Sequence, residues 1–143
     1  METYPIHSLA SQQIHKVESE DPENVFKLEI ESWCYGLFRF PGELSAKLIH
    51  ALIREMSGSF LYAVKNHFAF SLVWVAKQLH KASEGIVNEK ELALHIIACM
   101  PNPASLNSDE FAVFEQVITE AKKVYPDVVQ RFESRLSKAR AKQ

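Results

Sequence analysis

The sequence predicts an all-α protein, a single bundle of about six helices arranged around a mostly apolar third helix. Three observations lead there. Apolar residues recur at helical spacing along most of the chain, and no Asn-Gly or Asp-Gly hairpin dipeptide occurs anywhere. Three of the four glycines (Gly36, Gly58, Gly85) fall where a helical period breaks, and the fourth, Gly42, follows Pro41 at a helix start. The 143 residues are 47% apolar, 24% charged and 10% aromatic, the balance of a globular chain and not of a disordered, collagenous or coiled-coil one. A chain of this size buries roughly 68–70% of its unfolded surface around one core, so one domain is expected.

Residues 1–20 carry no sustained period and are expected to form a largely irregular arm, with residues 21–143 as the helical domain. Asp21-Pro22-Glu23 supplies an N-cap, a proline suited to the first helical position and an acid favoured at the positive helix end. The first helix should run from Pro22 to Tyr35, with Phe26, Ile30 and Trp33 on one face. Phe40-Pro41-Gly42-Glu43 restarts the chain, and Leu44, Leu48, Leu52 and Met56 with Ile49 and Ile53 form a wide apolar stripe opposite Lys47, His50 and Arg54. After Ser57-Gly58, Ser59 can cap a third helix to about Ala82, apolar nearly all round from Phe68 to Ala76 and therefore central.

Asn88 and Glu91 have capping-box spacing ahead of the stripe Leu92, Ile96, Ile97 and Met100, which Pro101-Asn102-Pro103 stops. Asn107 and Glu110 open a fifth helix in the same way, carrying Phe111, Phe114, Val117, Ile118, Ala121 and Val124. Tyr125-Pro126-Asp127 breaks the chain again. Val128, Val129, Phe132 and Leu136 make a last amphipathic helix that ends in a basic tail.

Sixteen basic against 18 acidic residues give a formal charge of −2, so no global field attracts a polyanion. Cys34 and Cys99 each sit among apolar neighbours and are expected as buried, reduced thiols. The first 16 residues lack the continuous apolar core of a signal peptide, and Phe68–Ala76 is about half the length of the roughly 20 residues that a bilayer span needs. A cytoplasmic protein with no membrane segment is the expectation.

Catalytic and cofactor signatures are sparse. Neither Gly-x-Gly-x-x-Gly nor a phosphate-binding Gly-Lys-Ser/Thr loop is present, and no Cys-x-x-Cys or His-x-x-x-His pair occurs. Glu91 with His95, and His80 with Glu84, have the spacing of helix-surface ion pairs, so neither a metal site nor a cofactor is expected. A serine hydrolase would need an elbow around its nucleophile and an acid to orient His67, and neither is legible. The chain thus reads as a binder rather than an enzyme.

Three surfaces could carry binding. Trp33, Tyr35, Phe38 and Phe40 crowd one loop with residue types enriched at interface centres. They favour a small accessory or regulatory protein that works by protein–protein interaction, as a homodimer. Alternatively, His67, Phe70, Ser71 and Trp74 could line an apolar small-ligand pocket, with His50 or His95 as more remote candidates. The third surface is the basic last helix, where Arg131, Arg135, Lys138 and Arg140 could touch an anion or nucleic acid, although cations near a helix C-terminus also follow from the helix dipole. Its five bases against Glu133 oppose the stretch Glu18–Glu31, where six acids face Lys27 alone. The two ends could attract within one chain or between two.

Overall fold

A computed structural model describes residues 21–38 and 45–142, with the side chains of residues 37, 38 and 142 left aside. The expected N-terminal arm and Phe40 lie outside the described residues. Helix α1 (Pro22–Phe38) is followed by α2 (Ala46–Glu55), α3 (Ser57–Lys65), α4 (Leu72–Ala82) and α5 (Glu89–Ala98). A 3-10 turn (Pro103–Ser105) leads to α6 (Ser108–Val124), α7 (Pro126–Gln130) and α8 (Glu133–Lys142). No strand occurs among the described residues, so the fold is all-α as expected.

Polar caps set most of the helix starts. Ser45, Ser71, Asn88 and Asn107 each accept a hydrogen bond from the backbone N–H three residues on, satisfying a donor that the helix cannot. Asn107 and Glu110 form the full reciprocal box, since the Glu110 carboxylate also accepts from the Asn107 N–H at 3.1 Å. Asp21 accepts from the Glu23 N–H and starts α1 ahead of Pro22, which the sequence places at the first helical position.

Two of the six expected helices are divided. The stretch 59–82 is broken between α3 and α4 by a left-handed His67, whose N–H donates to the Val64 carbonyl while the Phe68 N–H donates to that of Ala63. This paired closure ends α3 in the manner of a Schellman motif. The break is stabilised by burial: Phe70 stacks on Phe26 of α1 at 4.6 Å and on Phe60 of α3 at 5.4 Å, and Phe68 meets Phe26 edge-on. An unbroken helix would point these rings elsewhere, so aromatic packing outweighs propensity here. The last expected helix is likewise divided at Arg131-Phe132 into α7 and α8.

The glycines differ in part from expectation. Helix α1 runs through Gly36 to Phe38, and Gly58 lies in the first turn of α3, because the chain turns at the buried Met56 instead. Gly85 does require its positive φ of 77°, closing α4 after a left-handed Glu84. Helix α4 packs against α1, α5 and α6 and buries Leu72, Val73, Val75, Ala76, Leu79 and Ala82, so its central, apolar character is as the sequence implies. Helix α2 buries Ile49 and Ile53 and packs chiefly against α5. No helix among the described residues is long and apolar enough to cross a membrane.

Candidate functional site

The apolar faces of α2 and α5 fix what their flanks bring together. Ile49 and Ile53 on α2 are buried, as are Leu92, Ala93, Ile96 and Ile97 on α5. Helical spacing then carries His50 and Arg54 along one side of α2, and Glu91, His95 and Cys99 along one side of α5. Where these sides meet, the imidazoles of His50 and His95 lie with ring centroids 3.7 Å apart and planes inclined by 32°. Glu91 Oε2 stands 3.5 Å from His50 Nε2 and 3.9 Å from His95 Nε2. One donor atom from each of the three residues lies within 4.8 Å of the others.

The electrostatics of the cluster disfavour protonation of His95. Burial depresses the proton affinity of His95, the His50 charge adds to this, Glu91 opposes it and Arg54 reinforces it. His50 Nε2 is buried and has no hydrogen-bond partner. A neutral imidazole nitrogen beside a carboxylate is a ligand set: two nitrogens and one oxygen are what zinc and its neighbours in the first transition row take. Zinc–ligand bonds of about 2.0–2.1 Å in a tetrahedron put donor atoms roughly 3.3–3.5 Å apart. The Glu91 oxygen is close to that distance from either imidazole, whereas the two rings, stacked at 3.7 Å in a trio that spans up to 4.8 Å, have to swing apart to direct both nitrogens at one ion.

The side chains expected to line a ligand pocket have other work. His67 is exposed at the end of α3, Phe70 is buried in the aromatic stack, and Trp74 is half-buried against the core. Ser71 caps α4 by accepting from the Trp74 N–H and donates to Glu120 Oε2 at 2.9 Å. An apolar cleft lies elsewhere, among residues of α5 to α8 that include Ile97, Phe114, Val129 and Phe132. Of the aromatic loop, Trp33 packs partly buried on the core while Tyr35 is 52% exposed. Phe38 closes α1, and its side chain, like the whole of Phe40, lies outside what is described.

On the basic helix, Arg140 is held by Glu115 and Glu133, and the Arg135 guanidinium sits 5.5 Å from the centroid of the Phe132 ring. Arg131 and Lys138 are exposed. Both cysteines are free, Cys34 buried and Cys99 half-buried.

Sequence reasoning did not bring the cluster together, although it names His50 and His95 separately as remote candidates for a ligand pocket. The pair Glu91 and His95 was legible at its i, i+4 spacing, whereas His50 is contributed by another helix and has no spacing signal. Comparison with family models, with curated proteins and with solved structures finds no match to this chain.

Proposed function

We propose that this chain is an accessory or regulatory domain whose function is to bind a divalent transition-metal ion through His50, Glu91 and His95. The observation that carries the reading is the convergence of three donor atoms within 4.8 Å, one of them, His50 Nε2, buried without a hydrogen-bond partner. A metal ion would satisfy that nitrogen, and protein ligands from two helices make binding depend on the folded state. Titration calorimetry with zinc on the intact chain tests this. One ion per chain is expected, and His50→Ala and His95→Ala should each abolish that binding while His67→Ala, at an exposed position, leaves it intact. Binding that survives both cluster variants, or no binding at all, would overturn the reading.

A second reading is favoured by one observation, the 52% exposure of Tyr35 next to the half-buried Trp33. Exposed aromatics of this kind anchor protein–protein contacts, with a second copy of the chain as the first partner to consider. Light scattering coupled to size exclusion should then show a dimer that Tyr35→Ala weakens. A monomer at all concentrations would remove this form of the reading.

A further inference from the structure

We propose that α8 is a hinged latch over the apolar cleft it shares with α5, α6 and α7, and that it opens when the chain straightens at Arg131-Phe132 and joins α7 and α8 into one helix. The sequence favours the joined form, since no proline or glycine occurs from Asp127 to Lys142. The break itself is slight. Arg131 already has helical dihedrals, φ −63° and ψ −18°, and the N–H groups of Arg131 and Phe132 donate to carbonyls three residues back, those of Val128 and Val129. Such bonds wind the chain tighter than an α-helix, and shifting them to the carbonyls four residues back continues α7 into α8. Joining also supplies acceptors for the first N–H groups of α8, which a helix start leaves without intrahelical partners.

What opposes joining is the contact of α8 with the body of the fold. Among its described side chains, Leu136 and Ala139 are the buried ones, and Leu136 lines the cleft with Phe114, Ile118 and Val129. The rest of the hold is ionic and lies at the surface. Arg140 grips Glu115 of α6 with two guanidinium nitrogens, one of them at 2.9 Å, and reaches Glu133 at 3.5 Å. Glu133 in turn meets Lys122 of α6 at 3.2 Å. The network runs from α6 to α8 and back to α6, so it clamps the closed arrangement, and swinging α8 away breaks it. Exposed ion pairs weaken as salt shortens the screening length from about 10 Å at 0.1 M to about 3 Å at 1 M. The latch therefore opens more often as ionic strength rises. Few buried side chains and a screened clamp place α8 among the least stable parts of the fold, where local opening precedes global unfolding.

The test is thiol alkylation of the full chain carrying Ala139→Cys, with the rate at that position read by peptide mass spectrometry at about 0.1 M and about 1 M sodium chloride. Position 139 is 2% exposed, so its thiol reacts through opening of α8. High salt should raise the rate. Adding Glu115→Gln should raise it about threefold or more at low salt and remove most of the salt response, as expected for loss of the clamp. Adding Ser134→Pro separates straightening from fraying. Ser134 is exposed in the first turn of α8, where proline is tolerated, but in the joined helix a proline there loses the bond to the Gln130 carbonyl and clashes with it. That variant should react about tenfold or more slowly. Leu136→Cys, at the other buried position, reads the same opening independently. A rate indifferent to salt and to Glu115→Gln at both positions overturns the latch. A rate that Ser134→Pro leaves unchanged or raises shows that α8 opens by fraying or with the whole domain, and overturns the hinge.

Discussion

Replacing Phe70 with alanine tests the packing that divides the central stretch into α3 and α4. The ring is 1% exposed and contacts two others, Phe26 at 4.6 Å and Phe60 at 5.4 Å. Burying a phenylalanine and then deleting it costs about 3–5 kcal/mol in a core that cannot collapse. Collapse is restricted here because the segment is pinned at one end by the left-handed closure at His67 and at the other by the Ser71 cap. The upper part of that range, about 4 kcal/mol, is expected, a large share of the roughly 5–15 kcal/mol that holds a domain folded. At this chain length the loss corresponds to a fall in Tm of about 12 °C. Urea unfolding followed by far-ultraviolet circular dichroism reads it directly, with Phe70→Leu as a control that keeps most of the volume and loses about 1–2 kcal/mol. A loss below about 1.5 kcal/mol for Phe70→Ala at unchanged m-value would refute the reasoning, because a ring facing an open ligand pocket, not a wedge in the core, would cost that little.

His67→Gly should stabilise the protein by about 0.5–1 kcal/mol in the same unfolding assay, since glycine adopts the left-handed closure without the penalty that histidine carries; a loss of stability would show that the side chain has a structural role of its own. Asn107→Ala should cost about 1 kcal/mol by removing one arm of the capping box on α6. The His95 imidazole has a folded-state pKa below its ordinary 6.5, so the unfolded chain binds more protons in the window between the two. Its contribution is therefore complete above pH 6.5 and is lost as the pH falls through the folded value. His95→Gln should flatten that decline in a pH series of unfolding curves, and an unchanged slope would assign it to other groups. Burial, with the nearby Glu31 charge adding to it, pushes the Cys34 thiol up to about 12, so alkylation at pH 8 should spare Cys34 until denaturant is added. Rapid alkylation of Cys34 in the native protein would show that this part of α1 is not packed as described.

The helices were legible wherever a cap and an apolar stripe coincided. Asn88 and Asn107 are the clearest cases, because an asparagine at the cap, a glutamate three residues on and a periodic stripe all specify the same start. The interruption at 66–71 was not legible. Phe68 and Phe70 are apolar whether they continue a helical stripe or plug a gap between two helices, and hydrophobic pattern alone does not separate these outcomes. What separates them is Phe26, a ring from a helix remote in sequence, and its position follows only from the packing of α1 on α3 and α4. Gly58 misled for a related reason: the buried Met56, and not the glycine, marks the corner between α2 and α3.

The site was legible to the same extent and no further. A glutamate and a histidine one turn apart on α5 most often form a surface ion pair, and spacing alone supports only that. Adding His50 changes the chemistry, because a second imidazole stacked on the first makes protonation of His95 less favourable and brings a buried nitrogen that has no hydrogen-bond partner. That third group arrives only because Ile49 and Ile53 on α2 and Ile96 and Ile97 on α5 are buried where the two helices pack, setting the rotation of each helix about its axis. The same consideration bears on the charged ends of the chain. Arg140 could have paired with the acids near α1, but α8 packs on the 3-10 turn and the guanidinium is met instead by Glu115 of α6 and Glu133 of its own helix. In both places the sequence supplies groups of the right chemistry, and the apolar faces decide which of them meet.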